Sequence, residues 1–166
     1  MTTSAGLLLF RERERERAGE GAGDGDAAIE VLLGHMGGPF WARKDEGAWS
    51  IPKGELLEGE DALTGARREF AEELGHPPPD GEVVELGEVR QRGGKRVLAF
   101  ALRGDFDPAT LHPGTFEMQW PPRSGRLQRF PEIDRVAWFD LQTAATKVVK
   151  GQVELLERLR GAAASA

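Results

Sequence analysis

One stretch of this chain carries apolar residues at helical spacing. Between residues 60 and 74 the apolar positions are three and four residues apart, so in a helix they share one face. They are Leu63, Ala66, Phe70 and Leu74. Gly75 and a run of three prolines follow, and both are strong signals for the end of a helix. The pattern predicts an amphipathic helix over residues 60–74 whose apolar face packs on the core.

Shorter apolar runs elsewhere predict β-strands, because they are bounded by glycine, proline and polar turn residues. These runs are residues 4–10, 28–36, 82–90, 96–102 and 131–140. Residues 91–95 are glycine-rich and predict the turn of a hairpin between the third and fourth runs. A second amphipathic helix is predicted over Thr143–Leu159. His35, at the end of the second run, is interpreted as a structural histidine.

A flexible arm is predicted near the N-terminus, over about residues 11–27. Arg11–Arg17 alternates arginine and glutamate, so an extended chain would place each charge on its own face. A stretch rich in glycine and aspartate follows it, which is typical of a mobile connection.

A second segment without periodicity spans Asp105–Arg129. It contains four prolines, and it is predicted as a long irregular loop. Trp120, Arg123 and Arg126 give it an aromatic and basic character that suits a lid over a nucleotide or polyphosphate. The alternative is a loop that packs on the core through its own apolar side chains.

Composition narrows the class of protein. The 166 residues are enough for one domain with its own core, and 1–166 is interpreted as a single domain. A net charge of −6 gives no general affinity for nucleic acid or for an anionic membrane. The lack of cysteine excludes disulfides, thiolate metal sites and a cysteine nucleophile. No signal peptide or apolar run of the roughly 20 residues that span a bilayer is evident, so a cytoplasmic monomer or weak dimer is expected.

The predicted helix carries acids on a second face. Glu69, Glu72 and Glu73 are three and four residues apart, where like charges oppose helix formation. Arg68 offsets part of this repulsion through Glu72, four residues on. Carboxylate oxygens are the ligands that Mg²⁺, Mn²⁺ and Ca²⁺ prefer, so this face predicts a preformed divalent-cation site. The alternative is a solvated acidic face, and Glu117 of the irregular loop is a further acid that could approach a metal.

The acids belong to a longer pattern. Gly54 is followed after five residues by Glu60 and after seven more by Arg-Glu-Phe-x-Glu-Glu-x-Gly at residues 68–75. This resembles the signature of the Nudix hydrolase family, G-x5-E-x7-R-E-U-x-E-E-x-G-U, in which U is a bulky apolar residue. His76 departs from the final U, which concerns packing more than chemistry. The lead-in Trp-x-x-Pro-Lys-Gly, frequent in the family, is reproduced by residues 49–54.

The resemblance implies an α/β protein, a Nudix α/β/α sandwich with a mixed central sheet, in which the motif spans residues 54–76. It implies hydrolysis of nucleoside diphosphates linked to a further group, with Mg²⁺, or Mn²⁺ as a substitute. The implied catalytic residues are Arg68, Glu69, Glu72 and Glu73. Glu72 and Glu73 would be metal ligands, Glu69 a ligand or the general base, and Arg68 a residue that orients Glu69. Glu60 is treated as structural, in the first turn of the helix.

Two further metal contacts follow from the same resemblance. Gly54 would lend its carbonyl oxygen, and Glu132, six residues before Trp138, would complete the site from outside the helix. Candidate substrate-binding residues border this site or lie in predicted loops; they are Lys53, Trp41, Arg43, Arg123 and Arg126. For Trp41 and Arg43 the alternative is a loop that caps the edge of the core.

The sequence also resembles a bacterial group of the family labelled NTP pyrophosphohydrolase, on the pieces WSIPKGE and FEMQWPPRSG. The expected partner is a small-molecule nucleotide or polyphosphate, with a dinucleoside polyphosphate or a (d)NTP as the best candidate. Two alternatives stay open. One is an inositol pyrophosphate hydrolase, and the other is a catalytically silent domain that binds nucleotide as a sensor. The intact acids argue against the silent domain.

Overall fold

The central element of the fold is a mixed β-sheet. The computed structural model describes residues 2–13 and 28–164, and within them seven strands form this sheet. The strands are β1 (Thr3–Arg13), β2 (Ala28–Met36), β3 (Trp49–Ser50), β4 (Lys53–Glu55), β5 (Val83–Arg90), β6 (Arg96–Arg103) and β9 (Ile133–Asp140). A separate hairpin contains β7 (Thr115–Gln119) and β8 (Leu127–Pro131). The helices are α1 (Ala62–Leu74), α2 (Leu141–Lys147) and α3 (Val153–Ala164).

Strand β1 lies in the middle of the sheet and makes it mixed. It pairs antiparallel with β2 and β4 and parallel with β6. Successive side chains of a strand point to opposite faces of the sheet. Leu7 and Leu9 accordingly join a cluster with Phe70 of α1, whereas Leu8 joins a cluster with Leu155 of α3. The sheet therefore has a helical layer on each face, which confirms the predicted α/β/α sandwich.

The motif helix α1 begins two residues later than predicted. Asp61 caps its N-terminus, where the side chain accepts a hydrogen bond from the Thr64 amide at 3.1 Å. Gly75 ends it in the left-handed conformation, at φ 80°, which only glycine adopts without strain. Glu60 consequently lies in the turn before the helix, and its predicted place in the first helical turn is wrong.

The predicted C-terminal helix over Thr143–Leu159 is also wrong in part, because it is broken into α2 and α3. Val148 forms a parallel bridge with Trp49, and the Val149 amide donates to the Trp49 carbonyl at 2.9 Å. A helix would use these backbone groups internally. The break therefore covers the outer edge of β3 with extended chain.

The segment Asp105–Arg129 is not irregular throughout. It contains β7 and the start of β8, which pair in register from Thr115–Pro131 to Gln119–Leu127. Strand β7 alternates exposed and half-buried residues, whereas β8 is exposed at its first three residues and offers no alternation for a sequence pattern to detect. The predicted hairpin around residues 91–95 is confirmed, since β5 and β6 pair antiparallel on either side of it.

Only the start of the predicted flexible arm lies among the described residues. Arg11 to Arg13 belong to β1, and Arg11 binds Glu30 at 2.9 Å and Asp105 at 2.6 Å. The rest of the arm, residues 14–27, lies outside the described part of the chain. Among the helices of that described part, none combines the length and apolar character needed to cross a bilayer.

The first prediction concerns how α1 is attached. Phe70 is fully buried between α1 and β1, whereas Leu127 on the hairpin is 70% exposed. We expect Phe70→Ala to lower the free energy of unfolding by about 3–5 kcal/mol, because it removes buried apolar surface and leaves a cavity. Leu127→Ala is the control and should stay within about 0.5 kcal/mol of wild type. Urea unfolding measures both, and an unchanged Phe70→Ala protein would contradict this packing.

Candidate active site

The site is built where β4 passes close to α1. A side chain at Gly54 would place its Cβ 2.1 Å from Oε2 of Glu69, so any larger residue would displace the Glu69 carboxylate from this position. One residue earlier, the Lys53 amide donates to Oε2 of Glu73 at 3.1 Å. The backbone of β4 and the acidic face of α1 are therefore in direct contact.

Arg68 lies at the centre of the acidic residues. Its Nε and Nη2 donate to the two carboxylate oxygens of Glu60 at 2.8 and 2.9 Å, a bidentate pair. Its Nη1 donates to Oε1 of Glu69 at 2.9 Å and to Oε1 of Glu72 at 3.2 Å. Nη2 also reaches the Glu55 carbonyl at 3.1 Å. One guanidinium thus offsets the repulsion among three carboxylates.

Sequence reasoning missed the role of Glu60 as the main partner of Arg68. Hydrogen bonds from Arg68 and from the Leu57 amide lower the pKa of Glu60 to about 2. The turn that brings the two together contains Gly59 at φ 74°. The fixed eight-residue spacing between Glu60 and Arg68 was visible in the sequence, but only a chain reversal before the helix makes it a contact.

Glu73 is the most deeply buried of the three acids on the helix. Burial raises its pKa to about 8, and the hydrogen bond from the Lys53 amide opposes that rise only in part. Burial likewise raises the pKa of Glu69, against the opposing effect of Arg68. For Lys53 burial lowers the pKa of the ammonium, while the nearby Glu73 and Glu69 raise it. Burial therefore disfavours the charged forms of all three side chains.

Glu132 lies beside these acids although it is distant in sequence. It stands between β8 and β9, where its amide donates to the Gly114 carbonyl at 2.8 Å and its carbonyl accepts from the Gly37 amide at 3.0 Å. Its negative charge adds, after burial, to the raised pKa values of both Glu69 and Glu73. Glu132, the acid predicted from outside the motif, is thus near enough to Glu69 and Glu73 for its charge to act on both.

The donor set fits a hard divalent cation, but its side chains are not arranged as a finished site. Among residues 2–13 and 28–164, no three acidic or histidine side chains converge closely enough to hold an ion. Arg68 holds Glu69 and Glu72, and Glu72 is 59% exposed. Arg68 thus occupies the carboxylate oxygens of Glu69 and Glu72 that face it. Carboxylate and carbonyl oxygens remain the ligands that Mg²⁺ and Mn²⁺ prefer.

The loop between β2 and β3 carries Trp41 and Arg43. Trp41 is half-buried against the core and Lys44 lies over its ring at 5.2 Å, whereas Arg43 is exposed. His35 fixes this loop: its Nε2 lies 2.6 Å from the Lys44 carbonyl, and its Nδ1 lies 2.8 Å from Oδ1 of Asp134. His35 is fully buried, and its two contacts hold the loop in place, as expected of a structural histidine.

Arg123 and Arg126 lie at the exposed tip of the hairpin between β7 and β8. In the described part of the chain neither forms an ion pair with an acid of α1. Trp120, next to this tip, meets Phe40 edge to face with ring centroids 5.4 Å apart, which joins the hairpin to the loop after β2. Glu117, on β7, pairs with Arg129 of β8 at 3.0 Å.

Solved structures of known proteins share this fold. A C. elegans Ap4A hydrolase binary complex is 19% identical with a TM-score of 0.63, and the match covers 100% of both chains. A mutT/nudix family protein from Listeria innocua is 17% identical with a TM-score of 0.60, over 99% of this chain and 94% of that one. The NUDIX domain of Shewanella oneidensis NrtR, complexed with ADP-ribose, is 16% identical with a TM-score of 0.57, over 97% and 87%.

At these identities the structural likeness establishes the fold alone. No curated protein matches the sequence. A family model described as NUDIX domain matches residues 22–159, which is most of the chain. That range includes the glycine of β4, the acidic face of α1 and Glu132. The chain therefore belongs to the Nudix hydrolase family.

Proposed function

We propose that this Nudix hydrolase cleaves a phosphoanhydride bond in a nucleoside diphosphate linked to a further group, with a dinucleoside polyphosphate or a (d)NTP as its substrate. The observation that carries the proposal is that Glu69 and Glu73 lie against the β4 backbone, with the negative charge of Glu132 near enough to raise the pKa of both. Such a cluster of partly buried carboxylates is costly to keep unless it serves a cation or a proton transfer.

The residues that would hold a divalent ion, Mg²⁺ or Mn²⁺, are the carbonyl of Gly54 and the carboxylates of Glu69, Glu72, Glu73 and Glu132. All are hard oxygen donors, and Glu73 and Glu69 are disfavoured as bare charges by burial. When bound, such an ion shields phosphate charge and lowers the pKa of a water molecule. Glu72 is the residue that must turn from Arg68 to take part, and its exposure leaves it room to do so.

The chain's own groups supply the remaining steps. Arg68 holds Oε1 of Glu69, which leaves Oε2 to accept the proton of the attacking water. Burial raises the pKa of Glu69, which makes this carboxylate a stronger proton acceptor than an exposed one. Glu69 thus has two candidate roles, base and metal ligand. In either role of Glu69, the guanidinium of Arg68 keeps its own orientation, because the bidentate bond to Glu60 fixes the guanidinium plane.

The substrate is proposed to lie between Lys53 and the two loops joined by Phe40 and Trp120. Lys53 would neutralise phosphate next to the acids. Trp41 and Arg43 would contact a base or a distal phosphate from one side, and Arg123 and Arg126 from the other. This surface would have Lys53 at the end near the acids and the arginines of the two loops at the other end. Positive charge at both ends favours a long polyphosphate over a single diphosphate.

Three features of the reaction setting belong to the same proposal. We expect a cytoplasmic enzyme that is a monomer or a weak homodimer. Its partner is a small molecule, and the net charge of −6 argues against nucleic acid or an anionic membrane as a partner. A sensor without turnover is the second candidate. It is favoured by the NrtR NUDIX domain having been crystallised with ADP-ribose, and opposed here by the complete set of acids.

The second prediction tests the acids. We expect Glu72→Gln and Glu73→Gln each to lower kcat about tenfold or more, since a neutral amide is a poor ligand for a divalent ion. Circular dichroism should show an intact fold in both proteins. Glu157→Gln, an exposed change on α3, is the matched control and should keep wild-type turnover. Full activity in both test variants would place the reaction elsewhere.

The third prediction concerns pH and uses metal-free protein in a chelator. The pKa of Glu73 is raised to about 8 in the folded state, so wild type loses stability as pH rises from the unfolded-state value through about 8. Glu73→Gln cannot ionise and should escape this loss. At pH 9 it should therefore unfold with a free energy higher than wild type by on the order of a few kcal/mol. Equal stability of the two proteins at every pH would contradict the raised pKa of Glu73.

The fourth prediction identifies the substrate class. With Mg²⁺ or Mn²⁺, diadenosine tetraphosphate should yield ATP and AMP faster than ATP itself is cleaved, as resolved by chromatography. Arg126→Ala should raise KM for the longer substrate about tenfold and leave KM for ATP nearly unchanged, because only the longer chain reaches the hairpin. Faster turnover of an inositol pyrophosphate would replace the nucleotide substrate. Nucleotide binding without any turnover would establish the sensor.

A further inference from the structure

Gln152 is a buried polar residue that lies far from the acids, in the break between α2 and α3. It is 1% exposed. Its Oε1 accepts from the Ile51 amide at 3.0 Å, and its Nε2 donates to Ser50 Oγ and to Oε1 of Gln91, both at 2.9 Å. Because a backbone amide can only donate, the bond from Ile51 fixes which end of the side-chain amide faces the lead-in.

These bonds continue a ladder that the backbone begins. Val148 bridges Trp49 in parallel, and the Val149 amide donates to the Trp49 carbonyl. The next amide of the lead-in, that of Ile51, finds a side-chain oxygen instead of a backbone carbonyl. Ile51 is 2% exposed, so no water would replace this acceptor. The break between α2 and α3 therefore brings the side chain of Gln152 to the edge of β3.

The lead-in connects Gln152 to the acids over two residues. The Pro52 carbonyl accepts from the Leu7 amide of β1 at 3.1 Å, and the Lys53 amide holds Oε2 of Glu73. The backbone from Ile51 to Lys53 is thus held by Gln152 at one end and by β1 in the middle. Its far end is the hydrogen bond that orients the buried carboxylate of Glu73.

We propose that Gln152 is a positioning residue for the active site. Its hydrogen bond to the Ile51 amide fixes the position of the Lys53 amide two residues later, and the Lys53 amide orients the Glu73 carboxylate. The kinetic part of this inference rests on the proposed function, whereas the structural part does not. A glutamine that only satisfied the interior would affect overall stability and leave the Lys53 amide in place.

Amide hydrogen exchange in the metal-free protein tests the structural part. Gln152→Leu removes the acceptor at similar volume, and we expect exchange at both Ile51 and Lys53 to speed up about tenfold or more relative to the Phe70 amide in α1. Gln142→Leu, an exposed change on α2, is the matched control and should leave both amides unchanged. Faster exchange at Ile51 alone would overturn the proposal. Gln152→Met serves if Gln152→Leu fails to fold.

Kinetics test the consequence for the reaction. We expect Gln152→Leu to lower kcat about fivefold or more with KM within about twofold, because Glu73 acts at the reacting centre and not on ground-state binding. Gln91→Ala is the matched control, since it removes a partner of Nε2 and leaves the bond to the Ile51 amide in place. It should keep kcat within about twofold of wild type. Equal losses in Gln91→Ala and Gln152→Leu would overturn the positioning role.

The two readouts separate this inference from the proposed function. A wild-type protein without turnover on any substrate would refute the proposed function, while hydrogen exchange at Lys53 would still decide whether Gln152 acts on the amide that holds Glu73.

Discussion

The close approach of β4 to α1 is the constraint on which the rest of the site depends. Gly54 has no side chain, so the strand can lie against the carboxylate of Glu69. The same approach lets the Lys53 amide reach Glu73, whose charge is disfavoured by burial. A larger residue at position 54 would displace the Glu69 carboxylate. The glycine therefore lets the strand backbone and this carboxylate occupy neighbouring positions.

Charge balance is the second requirement of this arrangement. Repelling carboxylates on one helix face are tolerated because Arg68 contacts Glu60, Glu69 and Glu72 together. The pair with Glu60 is bidentate and largely shielded, so it fixes the guanidinium. The contact with Glu72 is exposed and weak, which leaves that acid able to exchange Arg68 for another cation. Arg68 thus has one firmly held partner, Glu60, and one loosely held partner, Glu72.

Contacts distant in sequence complete the site from three directions. Glu132 arrives from the link between β8 and β9, held by Gly37 and Gly114. Gln152 arrives from the break between α2 and α3 and fixes the lead-in. The hairpin and the loop after β2 meet through Phe40 and Trp120. These elements differ in how firmly they are tied, since Gln152 is buried while Arg123 and Arg126 are exposed. The acidic face of α1 is therefore supported by buried contacts, whereas the tip of the hairpin is open to solvent.

The sequence by itself determined the local elements: helical periodicity located α1, apolar runs located most strands of the central sheet, and the spacing of glycine and acids indicated the family. It placed the start of α1 two residues early, joined α2 to α3, and missed the β7–β8 hairpin, whose second strand is exposed at its first three residues and shows no alternation. Only the tertiary structure decided that Glu60 binds Arg68, that Arg68 also holds Glu69 and Glu72, and that Gln152 completes the edge of β3. Periodicity reports which face of an element is buried, whereas these contacts depend on where chain reversals bring distant backbone and side chains together.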